Sequence, residues 1–455
     1  MIKHDLTRRE FIRRSSALGV LGSAMPWALN LAAIGEASAA TGGDYKALVC
    51  VFLDGGNDHG NTVIPYDQVS YDRYAGIRQA LARPRDSLLP LTPGVALPDA
   101  RQLALAPELA PLKPLFDSGD LGVLLNVGSL IVPTSKSQYT AQSVPLPAKL
   151  FSHIDQQGSW QASSPEGRSS GWGGRMADLM LSGNGGSAFT GVSVSGNAVY
   201  LAGKTASQFQ VAPGGPVPLW ATRVPLYGSQ ACSDALAGLV AGNYAHVLEN
   251  AHSTVMRRGI SSNTLLEHAL QSASVATSFP EESPLAAQLK MVARMIAARD
   301  ILGMKRQVFY VSLGGFDQHA YLASKHPELL AQLADALSAF HAATAELGVS
   351  SQVTTFTASD FGRTLTVNGN GSDHGWGGHH FVMGGSVQGG RFWGQLPEVS
   401  VNGPDDVGQG RLLPTTSVDQ LAAELATWMG IGSGDMTTVL PYSGNFDLGH
   451  LGLFA

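Results

Sequence analysis

The chain is poor in cysteine, since Cys50 and Cys232 are the only two among its 455 residues. Two thiols cannot form a four-cysteine iron–sulfur cluster or a disulfide framework. Cys50 lies inside the apolar run ALVCVFL, which is typical of an inert buried thiol. The sequence also has no C-x-x-C-H haem attachment motif and no G-x-G-x-x-G after a predicted strand. These absences favour a metal ion over a redox or nucleotide cofactor.

Charge and long apolar runs are scarce as well. Charged residues make up 14% of the chain, and the formal net charge is −6. An acidic protein binds nucleic acid poorly because the phosphate backbone is itself negative. Beyond the N-terminal region, no run approaches the roughly 18 apolar residues that span a bilayer. We therefore expect no nucleic-acid partner and no transmembrane segment in the mature chain.

The N-terminus has the features of an export signal. Arg8-Arg9 lies in TRREFIR (residues 7–13), an apolar stretch covers residues 17–34, and Ala37-Ser38-Ala39 offers a cleavage site. An amphipathic first helix would not explain this order. We interpret residues 1–39 as a twin-arginine signal peptide, which makes the twin-arginine export machinery a partner and the periplasm or the extracellular space the location. That route exports folded proteins, which fits a chain that loads its metal before crossing.

Apolar runs alternate with helical segments along the rest of the chain. Buried strands are predicted at residues 46–53, 121–129 and 307–315, and helices at 107–118, 285–305 and 327–347. This alternation predicts an α/β fold, with a mostly parallel sheet and helices on both of its faces. We expect a single domain over residues 40–455. A Gly-, Ser- and Pro-rich part, residues 133–235, is predicted to be a loop-and-hairpin insertion that covers the carboxyl edge of the sheet.

Carboxylates and imidazoles follow the predicted strands. Asp54 comes directly after the first strand, Asp317 and His319 follow a later one, and Asp360 follows VTTFTAS. Because parallel strands end at the same edge, we expect Asp54, Asp317 and Asp360 to converge. Asp317 and His319 are two residues apart, so in an extended segment they face the same side.

This residue set is typical of a divalent-metal site. The candidate ligands are Asp54, Asp317, His319, Asp360, Asp373, His374 and His380, with Asn57 and Asp58 as weaker candidates. They predict one or two ions of Zn, Mn, Fe or Ca. One of the neighbouring histidines, His379 or His380, is expected to orient a ligand rather than bind the ion. The alternative for Asp54 is a turn former in D-G-G-N-D.

Two further residues are candidates for catalysis. Ser152 in FSHID is the candidate nucleophile, activated by a metal ion. In the alternative, His153 or Asp155 is itself a ligand and water is the nucleophile. Arg363 is a candidate for binding an anionic substrate, and an ion pair with Asp360 is the competing interpretation.

Taken together, several long motifs resemble the bacterial twin-arginine-exported proteins of the domain of unknown function 1501 family. They are FLDGGNDHGNTVIP (52–65), APLKPLFDSGDLGVLLNVG (110–128), FSHIDQQGSW (151–160), GWGGRMAD (171–178), SLGGFDQHA (312–320), SDFGRTLTVNGNGSDHGWGGHHFVMGG (359–385) and VDQLAAELATWMGI (418–431). The family is similar in organisation to the alkaline phosphatase and sulfatase superfamily, whose sheet-edge loops bind one or two metals. This resemblance implies an alkaline phosphatase-like fold. Asp360 departs from the family pattern, in which Glu is more frequent.

Two classes of function follow from these observations. The first is an exported metal-dependent hydrolase of a phosphate, sulfate or related anionic ester, whose substrate is a small anionic molecule or a surface polymer. The second is a non-catalytic exported protein that serves the envelope or binds a surface polymer, with or without a structural metal. The density of Asp and His favours the hydrolase.

Overall fold

The computed structural model describes residues 45–164, 167–449 and 451–454. The predicted signal peptide lies outside the described residues. The described strands are β1 (Lys46–Leu53), β2 (Val63–Pro65), β3 (Leu89–Pro90), β4 (Leu103–Leu105), β5 (Leu121–Gly128), β6 (Gly191–Ser193), β7 (Phe209–Gln210), β8 (Arg306–Leu313), β9 (Val353–Ser359), β10 (Gly378–Met383), β11 (Phe392–Trp393) and β12 (Thr416–Ser417).

The α-helices lie between these strands in the chain. They are α1 (Gln68–Arg78), α2 (Lys113–Ser118), α3 (Lys136–Ala141), α4 (His153–Ala162), α5 (Trp172–Met180), α6 (Gln230–Ala241), α7 (Val247–Ser272), α8 (Pro284–Ala297), α9 (Leu322–Glu346), α10 (Val418–Met429) and α11 (Met436–Val439). Each of the described helices is either too short or too polar to cross a bilayer.

Nine strands form the main sheet in the order β11-β5-β10-β9-β1-β8-β6-β7, with β12 also paired to β5. The strands pair in parallel except for β10, which is antiparallel to both of its neighbours. Strands β2, β4 and β3 form a separate small sheet. The predicted α/β fold with a mostly parallel sheet is confirmed.

The central strand β1 shows why the sheet has helices on both faces. Its side chains alternate between two apolar clusters, because successive residues of a strand point to opposite faces. Val49 and Val51 join the cluster that contains residues of α8 and α9. Leu48 and Phe52 join the cluster that contains residues of α4, α5 and α10. A strand that is buried on both faces has apolar residues at nearly every position, which is why the sequence KALVCVFL predicts β1.

The segment 133–235 differs from the predicted loop-and-hairpin insertion. It contains the helices α4 and α5, and it adds β6 and β7 to the sheet as parallel strands beyond β8. The short apolar piece around Val192 is therefore an edge strand of the main sheet rather than half of a hairpin. Its register with β8 depends on pairing over more than 100 residues of sequence, which local patterning does not specify.

The three strands that precede the candidate ligands end at the same level of the sheet. In the register of β1 with its two neighbours, Leu53 lies opposite both Leu313 and Ser359. The residues that follow these three positions therefore leave the sheet at its carboxyl edge, as predicted for Asp54, Asp317 and Asp360. The antiparallel strand β10 begins at this same edge, so the loop between β9 and β10 stays there.

Candidate metal centre

Three imidazoles and one carboxylate meet at the carboxyl edge of the sheet. They belong to His153, Asp317, His319 and His374, and one ligand atom from each lies within 4.8 Å of the others. Oδ1 of Asp317 is 3.3 Å from Nε2 of His153, 3.1 Å from Nε2 of His319 and 3.6 Å from Nε2 of His374. The Nε2 atoms of His319 and His374 are 2.8 Å apart. Atoms that bind one ion tetrahedrally at 2.0–2.1 Å lie about 3.3 Å from each other, so these spacings fit a single ion.

Different elements of the fold deliver the four side chains. His153 is the first residue of α4, and Asp317 and His319 lie in the segment that leaves β8. His374 lies in the loop between β9 and β10, where it forms an isolated bridge with Arg363. The shared edge of the sheet therefore brings together residues separated by more than 200 positions in sequence.

Each histidine of the cluster directs its other ring nitrogen, Nδ1, to an oxygen atom. The pairs are His153 Nδ1 with Asp360 Oδ2 at 2.7 Å, His319 Nδ1 with Asp373 Oδ1 at 3.2 Å, and His374 Nδ1 with the carbonyl oxygen of Phe151 at 2.7 Å. An Nδ1–H that donates to oxygen leaves Nε2 with a free lone pair. This arrangement is the one that surrounds metal-bound histidines, because it sets the tautomer and the ring orientation.

His153 gives a direct test of whether an ion fits. Its Nε2 atom is buried and, within the described part of the chain, makes no hydrogen bond, although Asp317 lies 3.3 Å away. A buried polar atom without a partner is costly, and a cation between Nε2 and Oδ1 of Asp317 would remove that cost. The hydrogen bond to Asp360 raises the pKa of His153. We conclude that His153, Asp317, His319 and His374 form a set that fits one divalent ion.

Asp360 and Asp373 occupy positions around the cluster rather than within it. The carboxylate of Asp360 is 4% exposed and orients His153. Asp373 accepts hydrogen bonds from Asn368 and from His319. Both residues were predicted as ligands. In the structure, each contacts the Nδ1 atom of a cluster histidine instead of the position that an ion would occupy.

Among the contacts of the described residues, the carboxylate paired with Arg363 is that of Asp317, whereas the competing interpretation had named Asp360. Its Nη1 and Nη2 atoms both donate to Oδ1 of Asp317, each at 3.2 Å. The side chain of Arg363 is fully buried beneath the cluster, whereas that of Asp317 is half exposed. Partial burial alone would raise the pKa of Asp317, yet the neighbouring His153, Arg363 and His319 hold it below its usual value.

Two glycines allow the loops to pack closely under the cluster. Gly55 has a φ of +114°, and a Cβ there would lie 2.3 Å from the backbone nitrogen of Asp317. Gly56 has a φ of +86°, and a Cβ there would lie 2.4 Å from the ring of Phe361. That ring stacks on His374 at 4.7 Å between centroids and lies 4.8 Å from His153. The glycine pair therefore makes room for protein atoms that support the cluster.

Asp54 lies beside the cluster, and its side chain is hydrogen-bonded to a residue that is not one of the four candidate ligands. Its Oδ1 accepts a hydrogen bond of 2.9 Å from Gln157, which lies one helical turn after His153 on α4. Burial, and then the nearby charge of Asp360, raise the pKa of Asp54 to about 6. Asp54 is thus a carboxyl group that changes its charge near neutral pH at the edge where the cluster lies.

His380 and His379 lie within β10 and are buried on opposite sides of it. His380 contacts Thr357 and the ring of Trp160, and burial lowers its pKa to about 3. Nδ1 of His379 accepts a hydrogen bond from the backbone of Asn126. The structure therefore does not bring the predicted ligand His380 to the cluster.

The weaker candidates also have other partners. Asn57 contacts His326 at 2.9 Å, and Asp58 forms a buried ion pair with Arg78. Oγ of Ser152 donates to Oδ2 of Asp155 at 2.8 Å, and Ser152 is the N-cap residue of α4 directly before His153. His153 is the cluster residue that the sequence offered only as an alternative, and its place next to the candidate nucleophile was the available signal.

Comparisons with solved structures give distant similarity. The structure of Ps i-CgsB in complex with k-i-k-neocarrahexaose matches at 10% identity and a TM-score of 0.34, covering 89% of this chain and 77% of the other. A second structure of Ps i-CgsB matches with the same identity and coverage and a TM-score of 0.36. A Bacteroides thetaiotaomicron structure reported under the metabolism of multiple glycosaminoglycans matches at 10% identity and a TM-score of 0.34, covering 86% and 74%.

The sequence comparisons give a clearer result. No curated protein matches the chain. A family model does match, over residues 45–440, and its description is "Protein of unknown function (DUF1501)". This range contains all four cluster residues and all the strands of the main sheet, and it confirms the resemblance seen in the motifs. The chain therefore belongs to the DUF1501 family.

Proposed function

We propose that this protein is an exported metal-dependent hydrolase of a phosphate or sulfate ester, with one divalent ion held by His153, Asp317, His319 and His374. The convergence of three Nε2 atoms on one carboxylate oxygen is the observation that supports this proposal. Metal-bound histidines almost always direct their other ring nitrogen to an oxygen, and all three histidines do so here.

The donor set favours some ions over others. Three imidazole nitrogens and one carboxylate suit Zn, Mn or Fe, which accept borderline nitrogen ligands. Calcium takes six to eight oxygen ligands and is disfavoured by this set. Among the ions that the sequence predicted, we therefore propose Zn, Mn or Fe.

When bound, such an ion would polarise an ester oxygen and lower the pKa of a water molecule through a fifth coordination position, since four protein ligands fill the tetrahedral ones. Asp317 supplies a carboxylate that is half exposed, so solvent and substrate can reach the centre from the open edge. Both Nη atoms of Arg363 already donate to Asp317, and the guanidinium is buried. Arg363 therefore supports the ligand Asp317, and a bound ion would supply the positive charge that attracts the anionic group of the substrate.

The geometry favours water as the nucleophile. The hydroxyl of Ser152 donates to the carboxylate of Asp155. Asp155 is two residues after His153, so its side chain leaves α4 about 200° round the helix axis from that of His153. This hydroxyl is thus engaged on the side of the helix away from the cluster. An open centre also accepts an ester group on a large polymer as readily as one on a small molecule.

The test combines metal analysis with an activity screen. The purified mature protein is loaded with Zn, Mn or Fe, and turnover of chromogenic phosphate and sulfate monoesters and diesters is measured. We expect one ion per chain, loss of both ion and turnover in His319→Ala, and retention of both in His252→Ala, a histidine on α7 far along the chain. Turnover of Ser152→Ala should remain within a few-fold of the parent if water is the nucleophile.

The results separate the hydrolase from its competitor. Full metal occupancy in His153→Ala and His319→Ala would remove the basis of the proposed centre. One tightly bound ion without turnover of any ester would favour the non-catalytic exported protein with a structural metal.

A further inference from the structure

Arg411 lies between β11 and β12, in a segment that is bound to the loop carrying His374. The residues on both sides of Arg411 make backbone hydrogen bonds to that loop. The carbonyl oxygens of Gly410 and Leu412 each accept from an N–H group of the loop between β9 and β10, at 2.9 Å. The backbone of Arg411 is therefore held in a fixed position relative to the backbone of His374.

The side chain of Arg411 makes two contacts beside the cluster. Its Nε atom donates to the carbonyl oxygen of His374 at 3.0 Å. Its guanidinium lies over the ring of Phe151, with Cζ 4.6 Å from the ring centroid. The carbonyl oxygen of the same Phe151 lies 2.7 Å from Nδ1 of His374. Arg411 therefore contacts both residues of the hydrogen bond that orients a candidate ligand.

Phe151 has a backbone conformation that depends on its surroundings. Its φ is +70°, in the left-handed region that bulky side chains rarely adopt. Such a conformation persists where neighbouring contacts stabilise it. A cation over an aromatic ring is an attractive contact, so the guanidinium of Arg411 supplies one of them. Because Phe151 is two residues before His153, its backbone also affects the position of a second candidate ligand.

The contacts of Arg411 fix geometry. Among the described residues, its hydrogen bonds go to the carbonyl oxygens of His374 and Gly408. A planar guanidinium can donate in its plane and stack through its face at the same time, which an ammonium group cannot do.

Arg85 makes the same two contacts elsewhere in the fold. Its Nε atom donates to the carbonyl oxygen of Tyr66 at 2.9 Å, and its guanidinium lies over the ring of Tyr66, 4.4 Å from the centroid. Tyr66 directly follows β2 of the small sheet. Arg85 is therefore a matched control for Arg411.

We propose that Arg411 is a positioning residue of the metal centre, which holds His374 and the chain before His153 so that both Nε2 atoms face Asp317. This role rests on the proposed function, because it concerns the same centre. Arg411 acts through the backbone of His374 and the ring of Phe151.

The first measurement needs no metal. Nitrogen-15 NMR spectra of the imidazoles in the metal-free mature protein, recorded at pH 8, report which ring nitrogen of His374 carries the proton, and His374→Gln identifies its signals. The parent should show the proton on Nδ1, where it is donated to Phe151. Arg411→Met should show a mixture of the two tautomers, because the carbonyl oxygen of Phe151 is no longer held in place. Arg85→Met should give the spectrum of the parent.

The second measurement is the affinity for Zn, determined by competition with a chelator. Arg411→Met should lower it at least tenfold, as expected of a residue that orients metal ligands. Arg411→Lys keeps a charge near the ring but loses the planar group, and affinity should fall about fivefold, the factor of one ordinary hydrogen bond. Arg85→Met should bind Zn like the parent.

Thermal denaturation identifies the variants that fold. The proposal is overturned if either folded variant of Arg411 keeps both the His374 tautomer and the Zn affinity of the parent, and Arg411→Lys decides alone if Arg411→Met does not fold. A parent chain that binds no divalent ion would contradict the proposed function instead, and the tautomer of His374 would still test the role of Arg411.

Discussion

Arg363 and Asp317 form an ion pair that joins the interior of the protein to the candidate metal centre. Both Nη atoms of the fully buried arginine lie 3.2 Å from Oδ1 of Asp317, the same oxygen that faces the three histidine nitrogens. The guanidinium thus fixes one oxygen of a half-exposed carboxylate that would otherwise rotate freely.

Replacement of Arg363 tests this relationship. Arg363→Lys keeps the charge but loses the planar fork that places two donors on one oxygen. We expect metal affinity, measured by competition with a chelator, to fall roughly tenfold, the lower end of the effect of residues that orient metal ligands. Arg223→Lys, which alters a surface ion pair with Glu267, is the matched control and should leave affinity unchanged. An unaltered affinity in folded Arg363→Lys would show that Asp317 needs no such support.

Asp360 is expected to matter for metal affinity although it lies outside the cluster. Asp360→Asn removes the negative charge that holds the ring of His153, and affinity should fall roughly 10- to 100-fold. The control is Asp120→Asn, since Asp120 also faces a histidine, His341, but at 3.7 Å and away from the cluster. Equal metal content and affinity in the two variants would argue against an orienting role for Asp360.

Asp419 predicts a pH dependence of stability. Burial raises the pKa of this carboxyl group from 3.8 to about 7. The native state therefore binds the proton more tightly than the unfolded state, and the free energy of unfolding should decrease as the pH rises from about 4 to about 7. Asp419→Asn keeps an acceptor for Ser163 but does not ionise. The free energy of unfolding of Asp419→Asn minus that of the parent should therefore increase with pH, by on the order of 4 kcal/mol at pH 8.

Urea denaturation at pH 5 and at pH 8 measures this difference. The subtraction of variant from parent removes the contribution of Asp54, whose pKa is also raised, to about 6, and which acts in the same direction. If the difference between the two proteins is the same at both pH values, Asp419 does not titrate between them.

The export signal makes its own prediction. Replacement of both Arg8 and Arg9 by Lys should leave the precursor in the cytoplasm, because the twin-arginine pathway recognises the arginine pair itself. Fractionation and immunoblotting of the periplasm give the readout, with Lys3→Arg as a charge-conserving control. Efficient processing of the double variant near Ala39 would mean that another pathway exports the protein.

The sequence predicts the strands that carry the candidate ligands better than it predicts which residues form the site. Strands β1 and β8 are recognisable because each is a largely apolar run, whereas β9, with the sequence VTTFTAS, is indicated only by its β-branched residues. Their parallel arrangement brings Asp317 and His319 to the same edge as Asp360. The part of the sheet beyond β8 is not recognisable in this way. Strands β6 and β7 are only three and two residues long and depend on long-range pairing.

The sequence also does not predict which residues are candidate ligands and which residues orient those ligands. Asp360 and His153 are equally plausible ligands by residue type, and only the structure shows that Asp360 pairs with Nδ1 of His153 while Nε2 faces Asp317. Similarly, alternation along β10 predicts that His379 and His380 point in opposite directions, but not that both directions lead into the interior. That outcome follows because both faces of β10 are covered, since Phe381 and Val382 join apolar clusters on opposite faces of the sheet.

The register in which Leu53 lies opposite both Leu313 and Ser359 has a thermodynamic consequence for the proposed ion. The four cluster residues meet only after strands from distant parts of the chain have paired, so the unfolded chain has no comparable affinity for the ion. The free energy of binding is then added to that of folding, and it grows with the ratio of free ion concentration to Kd, reaching about 2.7 kcal/mol at one hundred times Kd. Because ion binding and folding are coupled in this way, a chain that retains the ion is a chain whose sheet has assembled. A chain sent out of the cytoplasm already folded would carry its ion across the membrane instead of competing for one outside.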